Sequence, residues 1–314
     1  MANRQEKISV RKTNNRSHYS KNLLEVDYMV KIISLTSILS EILFFAMIGN
    51  LFLLVADVLS FPISILIMLI CIIFRMGLNK LSWFMYFNSL NRCDTDYDGF
   101  MKQQKKYCNK CKKKVRSMNT IVEQNKIAGM IYHEDFDNAK KDLIALGKTL
   151  AIADPLSKFQ YLSFLLAIEL HQKKFKGVSH FISEMRELLS QINFSDDEYS
   201  ETSSTKFESI LEGYRISNDF YQIDPDNFSS YDKTVAEKMI SKADKMLELL
   251  PEMKTFPHYF KLINYHDKAV AYVLLNEKEK AEPLFAEIAA TDYTYPFVKR
   301  VKQYQETGDI HILI

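Results

Sequence analysis

Glycine is scarce in this chain. Its eight glycines are never closer together than 18 positions. That excludes the Gly-rich loops that cradle nucleotide phosphates and the dinucleotide fingerprint, which need glycines a few positions apart so that backbone can approach the ligand. No G-x-S-x-G occurs, and His133-Glu134-Asp135 lacks the second histidine of a zinc-protease helix. Seven histidines are scattered without a pattern. No enzyme activity is expected from these residues.

Cysteine is equally sparse. Four residues do not make a disulfide framework. Cys71 falls in an apolar run, and Cys93, Cys108 and Cys111 fall in a stretch expected to face the cytoplasm, where thiols stay reduced. Cys108-Asn-Lys-Cys111 supplies half of a tetrahedral zinc site, with Cys93 and His133 the only completers in view. Without a second Cys pair, the plainer reading is two thiols one turn apart on a helix. No cofactor is expected.

Charge is missing from one long segment. Between Ile32 and Leu78 only Glu41, Asp57 and Arg75 are ionisable, and two windows each approach the roughly 20 apolar residues that cross a bilayer. The pattern predicts spans over about Ile32–Ala56 and Phe61–Leu78, reversing at Asp57-Val58-Leu59-Ser60 and Pro62. A signal peptide fits less well, because the apolar stretch is too long and no small-residue cleavage site precedes the next run. A re-entrant hairpin is the other alternative, given the short second span. Trp83, Phe84, Tyr86 and Phe87 extend the second helix as an interfacial aromatic cluster. Basic residues flank both spans and are absent from the turn, which predicts a cell-membrane protein with two spans and both termini cytoplasmic.

What is present divides by charge. Residues 1 to 119 carry 18 Lys and Arg against 8 Asp and Glu, a net +10, while the remainder carries 23 against 31, a net −8. The densest basic run is Lys102, Lys105, Lys106, Lys110, Lys112, Lys113, Lys114 and Arg116, with no acidic residue among them. Just cytoplasmic of a membrane helix, it predicts contact with anionic lipid headgroups. Nucleic acid is not expected, because only Tyr107 offers a stacking ring within the run.

Two acidic features stand out. Asp94, Asp96, Asp98 and Gly99 match the opening of a calcium loop, but position twelve is Lys105 instead of a bidentate glutamate. The alternative is structural: Asp98 caps the following helix, with Asp94 and Asp96 near the positive end of its dipole. Glu41 lies about mid-span, and Ser34, Ser37 and Glu41 share one helical face, an intramembrane polar stripe for packing or self-association.

From about residue 113 apolar residues recur three and four apart, the period of helices. The expected fold class is all-α: a basic tail (1–31), a transmembrane hairpin (32–80), a juxtamembrane aromatic and polybasic helix (81–112), and a helical domain (113–314). Residues 262–290, LINYHDKAVAYVLLNEKEKAEPLFAEIAA, form the clearest hairpin. Tyr265, Ala269 and Tyr272 share one face of its first helix, and Ala281 and Phe285 mark the inner face of its second. This resembles the tetratricopeptide repeat (TPR), with Lys268 standing where Leu is usual and Tyr293 where Pro is usual. Weaker copies carry Phe136, Ala139, Leu143 and Leu146, then Phe175 and Val178. A fourth, over about 205–250, is interrupted by QIDPDNFSSYD. The spacing of 39 residues from Phe136 to Phe175 exceeds the family's period of about 34.

The resemblance implies a cytoplasmic TPR-like α-solenoid whose first helices line a groove for a protein or peptide partner. Gln124, Ala128, Tyr132, Ile263, His266, Val270 and Val273 would face that groove. A membrane-anchored adaptor or scaffold is the expected function. The alternatives are a peptide or small-ligand sensor, or an accessory subunit docking into transport or export machinery through the hairpin. Scarce Gly with abundant Lys, Ile and Asn is the usage of an A·T-rich bacterial genome.

Overall fold

The computed structural model describes residues 35–314 except 37, 57, 112–115, 151–154, 193–200 and 254. Among these residues there is no strand. Internal contacts divide the chain into two units, Met1–Arg92 with Asp98–Lys113, and Cys93–Tyr97 with Lys114–Ile314.

In the first unit, α1 (Ile38–Val55) and α2 (Phe61–Leu90) pair antiparallel. Pro62 in the first turn of α2 starts the helix where its missing N–H costs nothing. Both helices are long and apolar enough to cross a membrane. Their outer faces are apolar and exposed, Phe45, Phe52, Ile73 and Phe74 among them. The facing sides are polar and neutral. Thr36 pairs with Ser82, Ser40 Oγ donates to Asn79 Oδ1 at 3.5 Å, and Asn50 Nδ2 donates to both the Ser64 carbonyl and its Oγ at 2.9 Å. The Arg75 guanidinium lies 4.9 Å from the centre of the Phe44 ring. After a single helical turn, α3 (Arg92–Thr95), comes α4 (Tyr97–Cys111). Its buried side presents Phe100, Gln103, Gln104 and Tyr107, and Tyr86 of α2 meets Tyr107 edge-on at 5.4 Å.

The second unit is a run of helices packed each on the next: α5 (Arg116–Tyr132), α6 (Phe136–Leu150), α7 (Pro155–His171), α8 (Val178–Gln191), α9 (Glu201–Phe220), α10 (Ser230–Glu248), α11 (Pro257–Leu274), α12 (Lys278–Ala289) and α13 (Pro296–Thr307). Helix starts follow from local chemistry. Ser229 and Asp232 form a reciprocal capping box on α10, and Pro257 and Pro296 open α11 and α13.

Three hairpins end their first helix in the same way. Glu134, Lys173 and Asn276 are all left-handed, with φ of 59°, 56° and 59°. The N–H of the next residue reaches back to the carbonyls of Met130, Glu169 and Tyr272, at 2.8 Å each, which closes a helix C-terminus. Counting five, nine and twelve residues on from each turn gives Ala139, Leu143 and Leu146, then Val178, Ile182 and Met185, then Ala281, Phe285 and Ile288. All nine are buried. These offsets follow one helix face, so a small residue lets the pair approach and larger ones fill the space beyond. The repetition is therefore physical, in both backbone and packing.

Glycine or asparagine suits the left-handed position, and lysine does not. Lys173→Gly is accordingly expected to stabilise the protein by roughly 0.5–1 kcal/mol, the relief of left-handed strain outweighing the entropy of a more flexible unfolded chain. A calorimetric melt of the detergent-solubilised protein checks it, and a lowered melting temperature contradicts it.

Candidate functional site

The turn His133-Glu134-Asp135 between α5 and α6 organises the second unit. Five residues of the chain leaving α2, Cys93–Tyr97, pack against it. His133 Nε2 bonds the Cys93 carbonyl at 2.8 Å, and the Tyr97 hydroxyl donates to Asp135 Oδ2 at 2.9 Å while its ring stacks on His133 at 4.3 Å. On the other side lies the α12–α13 link. The Asp94 carbonyl accepts from the Thr294 N–H at 2.7 Å and from its hydroxyl at 3.2 Å, and the Asp94 carboxylate accepts from the Tyr295 hydroxyl. The strap thus ties the first hairpin of the domain to the last.

Both ends also touch directly. Tyr132 stacks on Tyr259 at 3.7 Å and meets Phe256 edge-on at 5.2 Å. Arg300 of α13 grips Glu134 through two hydrogen bonds, at 2.7 and 3.1 Å. Asp94 is 2% exposed and Tyr295 is fully buried. Burial raises the pKa of Asp94 against the opposing effects of the Tyr295 hydroxyl and His258. The Cys93 thiol is pushed well up by burial and by Asp94 beside it.

Beside the Tyr132–Tyr259 contact the inner faces of the helices carry polar groups. Asp267 accepts from the Tyr221 hydroxyl at 3.1 and 3.2 Å and lies 3.2 Å from His266 Nδ1. Lys242 Nζ donates to Ser217 Oγ at 2.6 Å, and the Tyr214 hydroxyl to the Ser163 carbonyl at 3.4 Å. Tyr132 and His171 hold the same place in their hairpins, two residues before the left-handed turn. Burial raises the pKa of Tyr214, Tyr221 and Tyr259 and lowers that of His171 and Lys242, with Asp267 pulling both of the latter back up. Yet Tyr132, His171, Tyr214, Tyr221 and Lys242 keep partial exposure. They present ring faces, hydroxyls and an ammonium that stay in partial reach of solvent.

The expected groove positions do not form one open surface. Ala128, His266 and Val270 are buried, and Gln124, Tyr132, Ile263 and Val273 are half-buried. Gln124 is engaged by Gln160 at 2.9 Å and Tyr132 by Tyr259. Different neighbours cover them: Tyr132 meets Phe256, Tyr259 and Phe260, and His266 meets Phe297. On α4, Lys102, Lys105 and Lys106 are exposed, whereas the side chains of Lys110, Lys112, Lys113, Lys114 and Arg116 lie outside the described residues. Ser34 and Ser37 also lie outside them, and Glu41 is exposed on the opposite side of α1 from the buried Ser40 and Asn50.

The calcium-like stretch is not gathered around a centre. Asp94 is buried in the strap, and Asp98, exposed, sits inside the first turn of α4 instead of capping it. Among the described residues no three His, Cys, Asp or Glu side chains are grouped to hold a metal. Searched against protein-family models, curated proteins and solved structures, the chain matches none of them.

Histidine burial has a measurable consequence. His171 has its pKa lowered from the ordinary 6.5. The unfolded chain takes up that proton more readily than the folded one, so the stability involved is complete above the unfolded value and is lost as pH falls below it. His133 contributes with the same sign, and Asp94, raised from 3.8, with the opposite one, its stability being lost as pH rises through the folded value. His171→Gln isolates one contribution. The variant is expected to lose less melting temperature than the parent between about pH 7 and about pH 5, and an equal loss contradicts this account.

Proposed function

We propose that the protein is a membrane-anchored adaptor. The α1–α2 hairpin spans the cell membrane, both flanks lie on the cytoplasmic side, and a divergent TPR-like domain holds a protein or peptide partner there. The observation that carries this reading is the pairing of an apolar two-helix hairpin with a domain built by repetition: three hairpins with one turn and one packing register. Stacked hairpins offer extended inner and outer surfaces and no enclosed catalytic centre. Lys102, Lys105 and Lys106, exposed on α4, support contact with anionic headgroups beside the anchor. A second reading, sensing of a peptide or small ligand, is favoured by the half-buried rings, hydroxyl groups and ammonium of Tyr214, Tyr221, His171 and Lys242.

Crosslinking mass spectrometry on the tagged full-length protein, purified gently from native membranes, separates the two. The adaptor reading predicts one stoichiometric protein crosslinked to the domain from α5 to α13. Self-crosslinks alone, with a copurified small molecule, count against it and favour the sensor.

A further inference from the structure

Lysines in the second unit bridge neighbouring helices by a common rule. Lys126 meets Asp142, Lys140 meets Glu169, Lys158 meets Glu184, Lys261 meets Glu287 and Lys268 meets Asp244, each an ammonium on one helix answered by a carboxylate on its neighbour. Lys242 on α10 breaks the rule. Its Nζ reaches α9 and donates to Ser217 Oγ at 2.6 Å, and it forms no ion pair among the described residues. Asp267 pulls on this ammonium electrostatically, yet its own oxygens are taken by the Tyr221 hydroxyl and His266 Nδ1. The exception falls where a counter-ion matters most, because Lys242 is half-buried and Ser217 buried.

A hydroxyl is a poor substitute for a carboxylate. An ammonium has three N–H donors, and Ser217, having accepted one, keeps its own hydrogen, for which no acceptor stands among the described residues. One residue further along α9, Asn218 Oδ1 is buried without a partner. Buried polar groups are nearly always satisfied, so unused donors on a half-buried cation, beside an unpartnered acceptor, need an explanation other than packing.

We infer that Lys242 and Ser217 form a binding site for a small oxyanion, a carboxylate or phosphate group whose oxygens take the donors that α9 and α10 leave unused. An anion is the chemistry that fits, since it supplies the missing counter-charge and accepts charge-assisted hydrogen bonds, which are the strong ones. Tyr214 and Tyr221, about one turn to either side of Ser217 on the same face of α9, are half-buried and offer ring surface to the body of such a ligand. The inference rests on the ligand-sensing reading and gives it a ligand class; the adaptor reading does not need it.

Calorimetric melts of the detergent-solubilised full-length protein, with inorganic phosphate, acetate or chloride titrated at constant ionic strength, test the site. A saturable rise in melting temperature with phosphate or acetate, absent with chloride, is expected. In Lys242→Met the midpoint of that rise is expected to move at least about tenfold to higher concentration, and in Lys242→Arg to stay near the parent value. Without anion, Lys242→Met is expected to melt no lower than the parent, since methionine removes a half-buried charge that lacks a carboxylate. Lys105→Met, on the exposed side of α4, controls for general attraction and should respond as the parent does. Ser217→Ala carries the test if Lys242→Met does not fold, with a smaller move of the midpoint. The site is overturned by an equal response to chloride, by no saturable response, or by a Lys242→Met variant that responds as the parent. A Lys242→Met variant that melts well below the parent without anion also overturns it, because Lys242 is then a structural tie. Failure on any of these counts, with an uncharged molecule copurified from native membranes, removes the oxyanion and leaves the sensing reading standing.

Discussion

Tyr295→Ala is expected to cost the helical domain about 3–5 kcal/mol, the range for truncating a large buried aromatic. Tyr295 is fully buried and central. Its ring stacks on Phe297 at 5.7 Å, meets Tyr259 edge-on at 5.1 Å and lies 4.9 Å from His133. Alanine removes those contacts and also strips the Asp94 carboxylate of its hydroxyl donor, leaving a buried charge poorly compensated. Tyr295→Phe separates the two contributions. It keeps the ring and loses only the hydroxyl, for about 1–3 kcal/mol. Calorimetry of both variants in detergent decides it, and a Tyr295→Ala variant no less stable than Tyr295→Phe would mean that the ring packing contributes nothing.

The second large effect concerns the anchor. Leu66 and Ile70, one turn apart on α2, are exposed on its outer face. Replacing both with arginine is expected to abolish stable insertion, because each guanidinium near the middle of a span costs about 2.5–3.5 kcal/mol on insertion scales. The doubly substituted protein should leave the alkali-resistant membrane fraction or be degraded. Retention in that fraction would show that the apolar face does not meet lipid.

Some of this was legible in the sequence because the signals are local. The α11–α12 hairpin is written in Ala269, Ala281 and Phe285, and its turn in Asn276, a residue that tolerates the left-handed conformation. Glu134 and Lys173 adopt the same conformation without a residue that announces it. Their role emerges only from the backbone. The polar contacts inside the hairpin have a physical reason. Glu41 draws the eye as the ionisable residue, yet neutral Thr36, Ser40 and Asn50 form the interior, since hydroxyls and amides pair there without burying a charge.

The Asp94–Tyr295 contact was illegible for a different reason. Asp94 and Tyr295 lie 201 positions apart, and nothing near Asp94 distinguishes a helix cap from a residue recruited by a distant link. The groove positions are a similar case. Ala128 and Val270 have the small, apolar character expected of an inner face, but whether that face is open depends on how far the run of hairpins curls, which no local pattern encodes.

The central claim is a hairpin anchor with the helical domain on the side of its basic flanks. Single-cysteine labelling tests it most directly. With the native cysteines replaced by serine, Val58→Cys at the turn and Lys105→Cys on α4 are probed with a membrane-impermeant maleimide on intact cells and on sealed inverted vesicles. The account predicts that position 58 labels only from outside and position 105 only from the cytoplasmic side. Labelling of both from the same side would contradict a spanning hairpin.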